Sequence, residues 1–247
     1  GGESGGFPSG AITVAADGGG DYLTITEALD SLSGGPGTIL VFPGGYVENI
    51  TIYDGVLITG LAPASAASVL YPGASVITAA DGAIPTVTAL GGTLSDIAVV
   101  SAPGGTKPAI DMTGLGATTT FTTSNLAIIG FLGASPLVRG CGSGRWINQN
   151  SLSLAPAFLG GLGSAIEITD GSAYINELTI TNADTTEVLK QSGGEVRATS
   201  WQIGPRGASN KIVDLFSISG GALMVSGLET SLTDPAPANG LHFTGDR

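Results

Sequence analysis

The sequence predicts an all-β fold, a parallel β-helix built from coils of three strands, with one short helix that caps its N-terminal end. Short apolar segments recur in three interleaved series with a common spacing of roughly 22 to 29 residues. Glycine is abundant at 41 residues, whereas charged residues make up only 11% of the chain. One amphipathic segment near the N terminus has the period of a helix, and the rest of the chain alternates short apolar runs with glycine-rich turns.

The predicted helix begins after Thr24 and ends before the glycine-rich run at 34–37. Thr24 and Glu27 have the spacing of a capping box. The apolar stripe, at i, i+3, i+4 and i+7, consists of Ile25, Ala28, Leu29 and Leu32. A helix this short is marginal by itself in water, so we expect it to cover the open end of the first coil.

Each apolar series has one member in every coil. The first series comprises Ile97, Leu126, Leu152, Leu178, Trp201 and Leu228. The second series comprises Ile110, Leu137, Ile166, Val188, Val213 and Leu241. The third series lies just upstream of the first and comprises segments 92–94, 120–122, 145–147, 173–175, 195–197 and 223–225. Because the three series keep step, we expect each strand to stack on its counterpart in the next coil at about 4.8 Å.

An antiparallel sandwich is the alternative, since it also needs many short strands and glycine turns. It gives no reason, however, for every third strand to resemble its counterpart. The expected organisation is a flexible Gly/Ser arm over residues 1–10 and a single β-helix domain over 11–247, with 11–52 as the capped first coil and 53–247 as about six to seven further coils. Segments 102–108, 155–163 and 182–186 are expected to be loops.

The opening of the chain resembles a known superfold. Residues 14–29 read V-A-x-D-G-x-G-D-Y-x-T-I-x-E-A-L, and residues 43–52 read P-G-x-Y-x-E-N-I-T-I. This pattern is similar to the start of pectinesterase-like and pectate-lyase-like right-handed parallel β-helices, in which a helix caps the first coil. Carbohydrate enzymes and bacteriophage tailspikes share that superfold, so the resemblance implies an architecture and leaves the activity open.

Charge and cysteine content limit the possible partners. The net charge is −12, and an acidic protein of this kind repels nucleic acid and anionic membranes. We therefore expect no nucleic-acid partner and no membrane insertion. The single cysteine, Cys141, has no partner for an internal disulfide, and we expect it to be a small buried side chain.

The catalytic residues of the resembling enzymes do not carry over. Pectinesterases use a glutamine in a Q-A-V-A-L segment and an aspartate in a D-F-I-F-G segment, whereas the corresponding segment here, 107–112, reads KPAIDM and no D-F-I-F-G follows. Pectate lyases need clustered acidic calcium ligands, and no dense acidic run is present. His242 is the only histidine, and no serine elbow accompanies it. No cofactor or metal is expected.

A glycosidase needs only two carboxylates that face one groove. Asp111 and Glu167 follow inward-pointing isoleucines of the second series and lie two coils apart, so their expected backbone separation is roughly 9.6 Å, near the upper end of the range for an inverting pair. These two residues are the candidate catalytic pair. The simpler interpretation, which we favour, is that they are two solvated charges among twenty acidic side chains.

Two tryptophans are candidates for contact with sugar rings. Trp201 occupies a position that leucine or isoleucine fills elsewhere in the first series, which favours the core. Trp146, next to Arg145, is the better candidate for the surface. Arg145 and Trp146 are therefore the candidate ligand-binding residues.

Taken together, these patterns favour a non-catalytic structural or adhesive β-helix. We expect a homotrimeric spike or fibre on a virion surface that contacts host polysaccharide and is attached to other virion proteins by its N-terminal arm. A polysaccharide hydrolase or lyase is the second hypothesis, and a secreted cell-surface adhesin is the third. The expectation of a virion spike or fibre rests on an analogy at the level of the fold.

Overall fold

The computed structural model describes residues 10–62, 73–130, 136–155, 163–181, 185–204, 212–230 and 239–243. Its strands wind into a parallel β-helix, and every strand pairing in the ladders is parallel. Three strand series follow the coil, and they are the series that the sequence predicts. The expected arm at 1–10 falls almost entirely outside the described residues, as do most of the expected loops at 155–163 and 182–186.

The strands of the third series, in chain order, are β1 (Ile12–Val14), β2 (Gly37–Val41), β5 (Val56–Gly60), β8 (Gly92–Ser95), β11 (Thr120–Ser124), β14 (Arg145–Asn148), β17 (Ser172–Asn176), β20 (Glu195–Gly204) and β22 (Ala222–Thr230). Those of the first series are β3 (Gly44–Val47), β6 (Ser75–Thr78), β9 (Ala98–Val100), β12 (Leu126–Ile129), β15 (Leu152–Ala155) and β18 (Leu178–Thr181). Those of the second series are β4 (Ile50–Ile52), β7 (Val87–Ala89), β10 (Ile110–Asp111), β13 (Val138–Arg139), β16 (Ser164–Ile168), β19 (Thr185–Gln191), β21 (Ile212–Ile218) and β23 (Asn239–Phe243).

A single left-handed residue turns the chain from the third series into the first. Asp96, Asn125, Glu177 and Ser200 have φ angles of 54°, 50°, 48° and 55°, and they occupy equivalent places in four of the coils. In β20 the strand continues through this bend, so that β20 pairs with both β17 and β18 and joins the two series into one sheet of 15 strands. The second series forms a separate sheet of eight strands.

The register of the first series is confirmed. Leu126 lies opposite Leu152, Leu152 lies opposite Leu178, and Trp201 lies opposite Leu228. The backbone N–H of Ala127 donates to the carbonyl of Ile97, which places Ile97 in the same stack. The five members of this column from Ile97 to Trp201 form part of one continuous apolar core, whereas Leu228 is 37% exposed.

The predicted register of the second series is wrong at three members. Ile110 pairs with Val138 rather than Leu137, and Ile166 pairs with Leu189 rather than Val188. Phe216, and not Val213, is the next member. Leu137 and Val138 are both buried, as are Val188 and Leu189, so alternation of burial does not distinguish between the two residues of each pair.

The cap forms as predicted. Helix α1 (Ile25–Ser31) begins after the N-cap Thr24, whose hydroxyl accepts from Glu27 N at 3.2 Å while Glu27 Oε2 accepts from Thr24 N at 3.3 Å. Ile25, Ala28 and Leu29 are buried against the first coil, and Leu32 packs on the same core.

No helix in the described part of the chain is long and apolar enough to span a bilayer.

Candidate functional site

Four charged residues of alternating sign stack on the outer surface of the second series. Asp111 is opposite Arg139, Arg139 is opposite Glu167, and Glu167 is opposite Lys190. We call these four residues the charged column. The two candidate carboxylates therefore occupy one outward column two coils apart, and Arg139 lies in the coil between them.

The charges of this column are satisfied by their neighbours. Arg139 Nε lies 3.2 Å from Glu167 Oε2, and Lys190 Nζ lies 3.6 Å from Glu167 Oε1, so each oxygen of Glu167 faces a cation. Asp111 Oδ1 accepts from Thr113 N at 2.9 Å and from Thr113 Oγ1 at 2.6 Å. An inverting pair needs an open gap for a water and the scissile bond, and in this column a guanidinium lies in that gap.

A second cluster lies on the outer surface of the third series. The guanidinium carbon of Arg145 is 5.8 Å from the ring centroid of Tyr174, and that of Arg197 is 5.4 Å from the same centroid. Arg197 also binds Glu195, with Nε 2.6 Å from Oε1. We call Arg145, Tyr174, Glu195 and Arg197 the arginine–tyrosine patch. The three side chains of its two cation–ring contacts come from three successive coils, in β14, β17 and β20.

Trp146 lies in the core and not at the surface, where the sequence had placed it. Its side chain is only 1% exposed, so the expectation that it faces a ligand at the surface is wrong. Phe121, Trp146 and Ala173 are opposite one another in the ladder and all point inward. The indole Nε1 donates to Thr123 Oγ1 at 3.0 Å, which satisfies the one polar atom of the ring inside the core.

Arg145 faces outward, because it precedes Trp146 in the same strand and side chains alternate across a strand. Its aromatic neighbour is Tyr174 of the next coil. Tyr174 and Arg197 were not among the residues predicted from the sequence. Strict alternation within 173–175 and 195–197 would have found them, since it places Ala173, Ile175 and Val196 inside and the polar residues outside.

The other aromatic and sulfur predictions are confirmed. Trp201 is fully buried, and its Nε1 donates to the carbonyl of Ile175 at 3.2 Å. Cys141 is also fully buried, and burial raises the pKa of its thiol to about 12. The histidine side chain of His242 lies outside the described residues, and only the backbone pairing of that residue with Ser217 is defined.

A cleft of about 370 Å³ lies between α1 and the start of the second series. Asp30, Asn49 and Tyr53 contribute to its lining, and Asp30 is the one carboxylate among the lining residues. The side-chain amide of Asn49 binds backbone groups of the loop at 81–85, with its oxygen 2.7 Å from Asp81 N. The cleft therefore lacks the paired carboxylates of a glycosidase. Within the described ranges, no three His, Cys, Asp or Glu side chains come together as metal ligands.

No protein-family model and no characterised protein sequence matches this chain. Among solved structures, it is similar to the pectin methylesterase from Aspergillus niger in penultimately deglycosylated form, with a TM-score of 0.55 and 16% identity over 96% of this chain and 91% of that chain. The deglycosylated form of the same enzyme gives a TM-score of 0.52 at 17% identity, with the same coverage. The pectin methylesterase from carrot gives a TM-score of 0.43 at 14% identity over 98% of this chain and 90% of that chain. At these identities the likeness shows the fold alone, a parallel β-helix like that of the Aspergillus niger enzyme.

Proposed function

We propose that this chain is a non-catalytic β-helix that contacts glycans through its outer strand surfaces. The observation that carries the proposal is the position of Arg139, which lies between the two candidate carboxylates Asp111 and Glu167 and binds the second of them at 3.2 Å. A general acid and a general base must both reach the scissile bond. The charged column instead pairs its own charges across successive coils.

The biological setting that we propose is a spike or fibre exposed on a virion surface, with a cell-surface adhesin as the alternative. Support comes from the resemblance of the opening motif to a superfold that includes tailspikes, and from a rod whose outer strand faces carry mostly small polar side chains. We further propose a homotrimer in which flat strand faces pack side by side. The mass of the purified protein in solution tests this, because a monomer at micromolar concentration would contradict the trimer.

A polysaccharide hydrolase is the second candidate. Asp111 and Glu167 do point outward from one column, and this arrangement is the specific observation that favours it. If this candidate is right, Arg139 would have to move away from Glu167 when substrate binds.

One experiment separates binding from hydrolysis. The wild-type protein is incubated with a panel of neutral and acidic polysaccharides, and both retention on the immobilised polymer and release of new reducing ends are measured. We expect retention without release. Release that disappears in Asp111→Asn and in Glu167→Gln would contradict the proposal and establish the hydrolase. The absence of both retention and release across the panel would remove glycan contact as the function.

A further inference from the structure

We propose that the arginine–tyrosine patch is a binding site for the carboxylate-bearing sugars of a sparsely charged acidic polysaccharide. The inference rests on the proposed glycan-binding function and goes beyond it, because it assigns the site and the class of glycan.

The two cations of the patch lie against the same aromatic ring. Arg145 and Arg197 both contact the ring of Tyr174, so their guanidinium carbons are separated by at most the sum of 5.8 Å and 5.4 Å. A guanidinium that already lies against an aromatic ring loses less freedom on binding than a free one. Its N–H edge stays available for a carboxylate, which it can bind with two parallel hydrogen bonds. The patch is therefore pre-organised to bind a carboxylate with one or both guanidiniums.

The charges of both arginines are available to a ligand. Arg145 is exposed, and none of the ion pairs found among the described residues involves it. The Arg197 side chain is 52% exposed and its partner Glu195 is 29% exposed, so their ion pair is a surface pair that contributes little to stability. A ligand carboxylate can thus bind Arg145 directly and share Arg197 with Glu195.

Hydroxyl groups and an apolar side chain adjoin the patch. Arg145 is flanked in its column by Thr120 and Ser172, whose hydroxyls can bind the hydroxyls of a sugar. The column of Tyr174 continues to Met224, which is 50% exposed and offers an apolar surface. A few polar groups placed beside an apolar surface are typical of sites that orient small ring-shaped ligands.

The charges of the patch and of the whole chain favour a ligand of low charge density. The patch contains two cations and one carboxylate, so its net charge is small, while the whole chain has a net charge of −12. Repulsion between exposed charges is screened beyond about 8 Å at physiological salt, which lets a single carboxylate reach the patch. A densely charged chain would instead bring further anions close to Glu195 and to the acidic surface. A uronic acid polysaccharide with one carboxylate per disaccharide suits these charges better than a polysulfate does.

Direct binding measurements test this site. Fluorescently labelled oligosaccharides of hyaluronan, of neutral dextran and of dextran sulfate are titrated with the full chain at 0.15 M salt, and dissociation constants are obtained from anisotropy. We expect the hyaluronan oligosaccharide to bind most tightly. In the double variant Arg145→Gln, Arg197→Gln its affinity should fall about tenfold or more, because two charge-assisted contacts are lost.

Three further variants identify the cause of that loss. Lys107→Gln removes the same kind of charge from an exposed loop and should change the affinity by less than about twofold. Tyr174→Phe keeps the ring and should bind nearly as well as the wild type, whereas Tyr174→Ala should bind several-fold more weakly because the guanidiniums are no longer held. Thermal unfolding of each variant establishes that it is folded.

The outcomes separate this site from the proposed function. If the wild type binds hyaluronan and the double variant binds it equally well, glycan binding stands and the patch is not the site. If dextran or dextran sulfate binds the wild type as tightly as hyaluronan does, the assigned class of glycan is wrong. If the wild type binds none of the three and none of the wider panel, the glycan-binding function falls as well.

Discussion

Glu48 Oε2 accepts hydrogen bonds from both the backbone N–H and the hydroxyl of Thr26, at 2.8 Å and 2.6 Å. Its other oxygen accepts from Ile25 N at 2.9 Å, and the side chain is only 8% exposed. Glu48 follows β3, so one carboxylate ties the first turn of the capping helix to the coil beneath it. This contact gives the glutamate of the Y-V-E-N-I segment a structural role, because it binds the first turn of the helix.

Replacing Glu48 with glutamine should therefore loosen the cap. The backbone N–H groups of Ile25 and Thr26 and the hydroxyl of Thr26 need oxygen acceptors, and a glutamine replaces one of the two carboxylate oxygens with an NH₂ group that cannot accept. We therefore expect Glu48→Gln to lower the free energy of unfolding of the cap by about 1.5–3 kcal/mol. The measurement is hydrogen exchange of the amides of α1, which should become faster. Glu27→Gln is the matched control, since glutamine also completes a capping box and should change stability by less than about 0.5 kcal/mol. Equal effects of the two variants would contradict the role of Glu48.

The left-handed bend at Glu177 predicts a stabilising substitution. A glutamate at φ 48° carries a steric cost that asparagine bears more easily, and Asn125 occupies the equivalent place two coils earlier. We expect Glu177→Asn to raise the free energy of unfolding by about 0.5–1 kcal/mol, measured as a shift of the urea midpoint. Thr179→Asn, in the extended strand β18, should have the opposite sign because asparagine is unfavourable in strands. A destabilised Glu177→Asn would show that the bend is not strained.

The buried thiol predicts slow chemical modification. Because the pKa of Cys141 is raised to about 12, only about one molecule in ten thousand is a thiolate at pH 8, and its sulfur is also inaccessible. An aromatic disulfide reagent should therefore label the folded chain only as fast as the chain opens, and should label one equivalent promptly in guanidinium chloride. Labelling of the folded chain within seconds would contradict the burial.

Acid should weaken the turn that precedes the helix. Asp21 Oδ2 accepts from Thr13 N at 2.8 Å and from Thr13 Oγ1 at 2.7 Å, and these hydrogen bonds lower the pKa of Asp21. A lowered folded pKa means that the stabilisation is present above the unfolded value of about 3.9 and is lost as the pH falls through the folded pKa. The free energy of unfolding is measured in urea for the wild type and for Asp21→Asn at pH 7, 5 and 3. We expect the wild type to be more stable at pH 7 and this advantage to be smaller at pH 3. The control is Asp30→Asn, which removes an exposed carboxylate on α1. A stability difference between the wild type and Asp21→Asn that is larger at pH 3 than at pH 7 would contradict the prediction.

Local signals made much of the fold predictable. The capping box of Thr24 and Glu27 involves residues three apart in one helix, so both partners were visible in the sequence. The first series was predictable to the residue because a polar residue or a glycine directly precedes its apolar member in every coil, as at Asn125–Leu126 and Glu177–Leu178. In the second series this contrast disappears. Leu137 and Val138 are both buried, and only the ladder decides which of them faces Ile166.

The sequence by itself determined the coil, its period, the cap and the two outward carboxylates of the second series, because these depend on alternation and spacing along one strand or helix. Tertiary structure decided which neighbours the outward side chains meet. Arg139 enters the gap between Asp111 and Glu167, and Tyr174 rather than Trp146 is the aromatic partner of Arg145. Both relationships join residues in different coils. The stacking register that brings them together is set by the packing of the whole core, which no single segment encodes.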